Sequence, residues 1–323
     1  MAHLVETMAY NSDADINNGI VMERMVPWHG LGTPCGHAMT SQEALELGGL
    51  DWNVVPKQIY DENGNAIPNY IANTRDSDGS VLGIVSEKYS IVQNRQALAF
   101  TDALLDHEAR YDTVGSLKNG KMVWLNAHLP ATKILGDEIV PYLLFVNTHD
   151  GSGAVKVCTV PVRTVCNNTL NLALSQAKRS WTCKHMGNIE DKIWEATHTL
   201  QLANKYMEEL RVNMEKLAEV KISEDEIYHI VSEMFSVPEK ASERVAANAQ
   251  KAKQEFMVAY FMPDITKFRG TAAGLVNAAA DFVDHAAPQR NTSTYAERNF
   301  EKVVFGHPIF DKIVANCMAR VGK

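Results

Sequence analysis

Apolar and polar positions alternate through the first half of the chain and recur at helical spacing through the second. Asp51 to Tyr60 and Ala66 to Thr74 flank Asn63-Gly64, which predicts a β-hairpin, with Pro56 and Pro68 marking edges or bulges. A turn at Asp76 to Gly79 leads to Val81 to Ser86 and then Tyr89 to Gln93, so three or four antiparallel strands are expected. Tyr111 to Leu117 and Lys121 to Leu129 form a second hairpin about Asn119-Gly120, and Val140 to Thr148 is apolar enough for a central strand. Asp150 to Gly153 is turn chemistry, and Ala154 to Val165 is rich in β-branched residues, as a strand requires.

Helices punctuate this region. Thr40 with Glu43 makes a capping box for a short helix ending at Gly48 and Gly49. Asn94 reads as the cap of a helix through about His107, and Asn167 with Asn168 as the cap of another that aligns Leu170, Leu174 and Ala177. From Asn188 the pattern is helical throughout. Ile189, Ile193, Ala196, Leu200, Ala203, Met207, Leu210, Met214 and Leu217 alternate spacings of four and three, a heptad seam expected to pack against the helix from Lys240 to Phe261 or against a second subunit. Ser223 with Glu226 boxes the next helix, and Thr271 to His285 and Pro308 to Arg320 supply two more. The expected fold is α+β: an antiparallel β-rich N-terminal module with two packed helices, followed by a mostly helical C-terminal module. The expected division is a polar arm at 1–25, the β-rich module at 26–187 and the helical module at 188–323.

A chain of 323 residues, 46% of them hydrophobic, can bury a sizeable core. No apolar run approaches the roughly 20 residues that span a bilayer, and Met1 to Tyr10 has neither a basic segment nor an apolar one, so neither secretion nor membrane insertion is expected. Five scattered cysteines without a C-x-x-C pair imply reduced thiols in a cytoplasm and no disulfide framework.

The net charge of −8 argues against a protein that coats nucleic acid by charge alone, but the charge is unevenly spread. Between 151 and 193, Lys156, Arg163, Lys178, Arg179, Lys184 and Lys192 face only Glu190 and Asp191, a local +4 against −12 for the remainder. Within it, Lys178, Arg179, Trp181, Lys184 and His185 join cations to an aromatic, the combination with which proteins track the phosphates of a single strand and stack its bases. A strand there would put Arg179, Trp181 and Cys183 on one face and Lys178, Ser180, Thr182 and Lys184 on the other. Lys156 and Arg163 extend the field if their strand is adjacent, and Arg163 beside a helix N-terminus would suit an anion.

Other chemistry is thinner. His29, Cys35 and His37 are zinc-ligand types in a loop of three glycines and a proline, yet no fourth ligand is evident and no metal is expected. Cys166 near Arg163, or Cys183 with His185, offers a thiol and a base, but catalysis needs a spatial constellation that spacing does not establish. Asp76 with Asp78 and Asp281 with Asp284 are acidic pairs of the kind usually solvated. No P-loop, kinase set, hydrolase elbow or zincin motif occurs, and no cofactor is expected.

Several motifs stand in order: Trp28-His29-Gly30-Leu31-Gly32, Leu82-Gly83-Ile84-Val85 with Tyr89 and Asn94, Asn147 to Ser152, Pro161 to Leu170, and Lys184-His185 before Gly187-Asn188. In these the chain resembles the phage/plasmid-like protein family, a domain of unknown function, over roughly 26–202 and again at 277–285. That resemblance implies a mobile-element protein in the bacterial cytoplasm, and it assigns no reaction. Element order and the basic-aromatic strip are also distantly similar to phage single-strand annealing proteins. The expected function is therefore single-stranded nucleic-acid binding or annealing by a protein that can self-associate. The competing classes are a protein-binding factor acting on host physiology or defence, and an enzyme of unrecognised chemistry.

Overall fold

The computed structural model describes residues 5–11, 33–104, 110–163, 168–170, 172, 180–187, 202–286 and 306–322. The fold is α+β, with antiparallel sheets in the N-terminal half and helices in the C-terminal part. The chain divides into two compact units, one of residues 1–129, 142–159 and 179–203, the other of 130–141, 160–178 and 204–323.

The first unit contains a large sheet and a small one. Its strands are β1 (Val5–Asn11), β2 (Thr33–Cys35), β3 (Val54–Tyr60), β4 (Ala66–Arg75), β5 (Val81–Ser86), β6 (Tyr111–Leu117) and β7 (Met122–His128). They are joined by most of β9 (Asp137–Thr148), the start of β10 (Val155–Arg163) and β12 (Ser180–Cys183). The large sheet runs β10-β9-β7-β6-β1-β2, with β12 pairing to β10. β3-β4-β5 is a separate antiparallel sheet. Helices α1 (Ser41–Leu47) and α2 (Asn94–Leu104) belong to this unit, whose core includes Leu45, Leu98, Phe145, Val155 and Val157.

Local chemistry accounts for these elements. The Thr40 hydroxyl accepts from the Glu43 amide while the Glu43 carboxylate accepts from the Thr40 amide, so both ends of the capping box are closed. The β3-β4 turn is held by Asp61, whose Oδ1 accepts from the amides of Asn63 and Asn65, with Gly64 at φ 80°. The β6-β7 turn puts Lys118, Asn119 and Gly120 all at positive φ, a conformation that Asn and Gly tolerate best.

Three expectations fail here. Within the stretch read as an arm, Val5–Asn11 is a strand antiparallel to β6, with Ala9 fully buried. Tyr89 to Gln93 is not a strand: Tyr89 bridges to Met186, and the Gln93 amide side chain bonds both the N–H and the C=O of Val54. Asn94 is the first residue of α2, and its side chain is used as a strut to distant backbone instead of a cap.

In the second unit, β8 (Thr132–Ile134) pairs with the first residues of β9, and β11 (Asn168–Thr169) pairs with Val162 and Arg163. This corrects the helix expected from Asn167. Leu170 and Leu172 are both buried, a period of two that suits extended chain, and the Leu170 amide donates to Pro161 O. The remainder of that expected helix lies outside the described residues. Among the described residues five α-helices follow: α3 (Leu202–Glu219), α4 (Glu224–Met234), α5 (Glu243–Tyr260), α6 (Ala272–Asp281) and α7 (Pro308–Met318). Met207, Leu210, Met214 and Leu217 of the heptad seam are buried in one cluster with Phe256 and Tyr260 of α5, while Ile189 to Leu200 lie outside the described residues. Among the described residues no helix is long and apolar enough to cross a membrane.

Candidate functional site

The motif residues that stand far apart in the sequence converge in the first unit on a buried polar network. Its centre is the end of β9, where Asn147, Thr148 and His149 are at most 3% exposed. Asn147 Nδ2 donates to Val92 O at 2.9 Å, and Asn73 Nδ2, from β4, donates to His149 O at 2.8 Å. Asn94 Nδ2 donates to Leu50 O at 2.9 Å, which turns its Oδ1 toward His149 Nε2 at 3.3 Å. The His149 ring meets the Trp52 indole edge-on at 5.4 Å, and the Arg75 guanidinium stands 5.5 Å from the Trp52 ring while pairing with Asp78.

His185 closes the other side. Its Nδ1 lies 2.9 Å from Ser90 O, and its own carbonyl accepts from the Ser90 amide. Tyr89 stacks on the imidazole at 4.5 Å and 13°, donates its hydroxyl to Thr148 O, and bridges to Met186. The segment that follows β12 is thereby fastened to residues 89–90 by main chain, side chain and ring.

These bonds fix the imidazole chemistry. Asn94 Oδ1 and Ser90 O are acceptors, so His149 carries its proton on Nε2 and His185 on Nδ1. Among the described residues, the remaining ring nitrogens, His149 Nδ1 and His185 Nε2, are buried without a hydrogen-bond partner, as are Asn147 Oδ1, Asn73 Oδ1 and Thr148 Oγ1. Burial holds the His149 imidazole down at about 3, helped by the nearby His185 and opposed by Asp150, and burial lowers His185 as well. Burial likewise pushes the Tyr89 hydroxyl up. At neutral pH the network is therefore uncharged at both histidines.

Of the residues chosen from sequence, His185 belongs to this network; Lys156, Trp181 and Lys184 stand on and beside β10 and β12. Lys156 stands opposite Thr182 and Val157 opposite Trp181, so paired residues share a face. Val155, Val157 and Cys183 are buried, and Trp181 is half-buried against the same core cluster. Trp181 thus faces inward, while Lys156 lies on the other face with exposed Thr182, and exposed Lys184 follows the strand. His185 is 4% exposed and belongs to the network, not to a solvent-facing strip. Arg163 ends β10 opposite Asn168, in the second unit. Lys178 and Arg179 lie outside the described residues, as do His29 and Cys166.

The other candidates resolve into local pairs. Cys35 Sγ is 3.5 Å from His37 Nδ1, while His37 Nε2 is 2.9 Å from Glu43. Backbone and side-chain bonds from Thr40 and His37 hold the Glu43 carboxyl at about 2. Asp76 receives the Asn53 amide and Asp78 the Arg75 guanidinium. Buried Cys183 bonds to Lys184 O. Among the described residues no three histidine, cysteine or acidic side chains converge as a metal site would require. The buried network escaped sequence reading because its members come from five separate stretches. The signal was present in the ordered motifs themselves, whose polar residues carry no periodicity.

A family model described as a domain of unknown function, DUF932, matches residues 81–303. No curated protein and no solved structure matches the chain.

Proposed function

Because the chain belongs to the DUF932 family, whose description attaches no activity, we propose its function from its residues: a nucleic-acid-binding protein of a phage or other mobile element, acting on single strands during recombination or replication in the bacterial cytoplasm. The observation that carries this reading is the outward surface of β10 and β12. Half-buried Lys156 is in register with exposed Thr182 there, and exposed Lys184 follows, all within the stretch that is locally +4 in a chain of net −8. Cations on a solvent-facing sheet edge attract phosphates by charge and counterion release. The resemblance to phage/plasmid-like and annealing proteins supports the same class. In this reading the lysines bind the backbone, while Trp181 holds the strand to the core and does not stack a base. The neutral network behind it anchors His185, and so the end of β12, to Ser90.

Fluorescence anisotropy with a labelled single-stranded oligonucleotide tests the proposal. Affinity should fall linearly with log salt, and Lys156→Gln and Lys184→Gln should each flatten the slope by about 0.7. Binding that is absent, or indifferent to salt and to both substitutions, overturns it. A second reading, a factor that binds a host protein, is favoured by Tyr228, Val258 and Phe261, which are exposed around one groove between α4 and α5. Retention of the labelled strand distinguishes the two.

A further inference from the structure

We propose that β5, an edge of the small sheet, pairs with the same strand of a second copy of this chain. The two edges of that sheet are built differently. β3 carries Pro56 and exposed Lys57 in its middle, devices that keep an edge strand from recruiting another. β5 reads Val-Leu-Gly-Ile-Val-Ser, without proline or charge, and has β4 as its one neighbour among the described strands. Its main-chain groups on the far side are a template for a further strand.

Side chains point to the same conclusion. Ile84 stands opposite Ala72 and Val81 opposite Thr74, so both lie on the face that also carries Lys57 and Tyr70. On it Val81 is 57% exposed, Ile84 61% and Tyr70 52%, around buried Ala72 and Thr74, and the exposed apolar side chains of β5 stand at the open edge. The reverse face is pinned. A Cβ on Gly83 would stand 2.5 Å from Asp150 Cα, and Asn73 of the neighbouring strand is bonded to His149 O. The edge is therefore rigid before any partner arrives, which lowers the ordering cost of pairing.

A second copy fits this edge because the strand complements itself. A two-fold axis through Ile84 sets that residue against its own counterpart and Gly83 against Val85, so at the centre exposed meets exposed and inward meets inward, while at the bulged end buried Leu82 falls opposite exposed Ser86. No like charges meet: exposed Lys88 of one copy falls at the Ser80 end of the other, beside exposed Asp78. One such contact closes the assembly as a symmetric dimer. Six residues of ladder bury less than the roughly 1,200 Å² of a stable interface, so the dimer forms reversibly with concentration.

Sedimentation over a concentration series tests this. The wild-type chain should pass from monomer to dimer. Ile84→Lys, which sets two ammonium groups together on the axis, should weaken the dimer at least about tenfold without moving the melting temperature, because Ile84 is exposed. Lys57→Glu, on the guarded edge, should leave it intact. Ile84→Cys supplies an independent reading: mild oxidation should link two copies through the introduced thiols, since facing Cβ atoms lie within about 5.5 Å, and the wild-type chain should not link. A wild-type chain that stays monomeric to about millimolar concentration overturns the proposal. So does a dimer that survives Ile84→Lys, or an Ile84→Cys chain that fails to cross-link.

Discussion

His149 Nε2 lies 3.3 Å from Asn94 Oδ1, and the orientation of that amide is set by a residue belonging to neither motif, Leu50, whose carbonyl accepts from Asn94 Nδ2. The imidazole is thus held in one tautomer, fully buried and neutral. An unfolded histidine titrates near 6.5, whereas burial lowers His149 in the fold to about 3. Between those values the unfolded chain binds a proton that the folded chain does not. Stability is therefore independent of this group above about pH 6.5 and is lost as pH falls below it.

For a single such group the loss between pH 7.5 and 5.5 is about 1.4 kcal/mol. Urea unfolding at the two pH values should show it, and His149→Gln should remove about that much of the difference. His185 is lowered in the same direction, so His185→Gln should shift the profile the same way. Profiles of wild type and both variants that run parallel would refute the neutral-network description.

Gly83 is required for space, not for backbone freedom. Its Cβ would meet the Asp150 main chain at 2.5 Å, and backbone cannot step aside as a flexible side chain can. Gly83→Ala should destabilise the first unit by about 1 to 3 kcal/mol, the cost of overpacking. Gly64→Ala is a weaker probe of space, because nothing lies within 4 Å of its Cβ and the cost there comes from φ of +80°. Thermal melts of the pair should rank Gly83→Ala as the more damaging.

Trp181 packs half-buried on the core opposite Val157. Trp181→Ala should cost about 2 to 3 kcal/mol of folding stability, below the range for a fully buried tryptophan. Stacking releases no counterions, so the salt slope of oligonucleotide binding should be unchanged either way; the discriminating quantity is the melt. A variant that melts like wild type yet binds about tenfold more weakly would return Trp181 to the solvent side.

Cys317, in α7, has its thiol pushed up to about 12 by burial. A neutral buried thiol is a poor nucleophile. Alkylation of the native protein at pH 8 followed by mass spectrometry should leave Cys317 unmodified, and denaturant should expose it. Rapid native labelling at Cys317 would contradict the packing of α7.

What the sequence made legible was what short-range chemistry decides. Thr40 with Glu43 and Ser223 with Glu226 each close a capping box within four residues, and both are found closed. The Asn63-Gly64 and Asn119-Gly120 hairpins are equally local. An asparagine before an apolar run caps a helix in isolation, but at Asn94 the side-chain amide serves a remote carbonyl, and at Asn168 the main chain joins a strand pair. The histidines were hidden further still. Nothing near His185 in sequence announces Tyr89 and Ser90, and the bond from Asn73 to His149 O joins residues 76 positions apart.

The pairing of β1 with β6 bears on how the protein is made. Val5 pairs with Leu117, and β2, the other neighbour of β1, adds three parallel residue pairs. During synthesis Val5–Asn11 leaves the ribosome well ahead of β6, so its main antiparallel partner is not yet translated. β1 must wait through the synthesis of the whole β3-β4-β5 sheet and α2 before its ladder with β6 can close. Nascent chains stalled ahead of Tyr111 therefore carry β1 with its β6 side unpaired, where a chaperone that holds extended segments would find it.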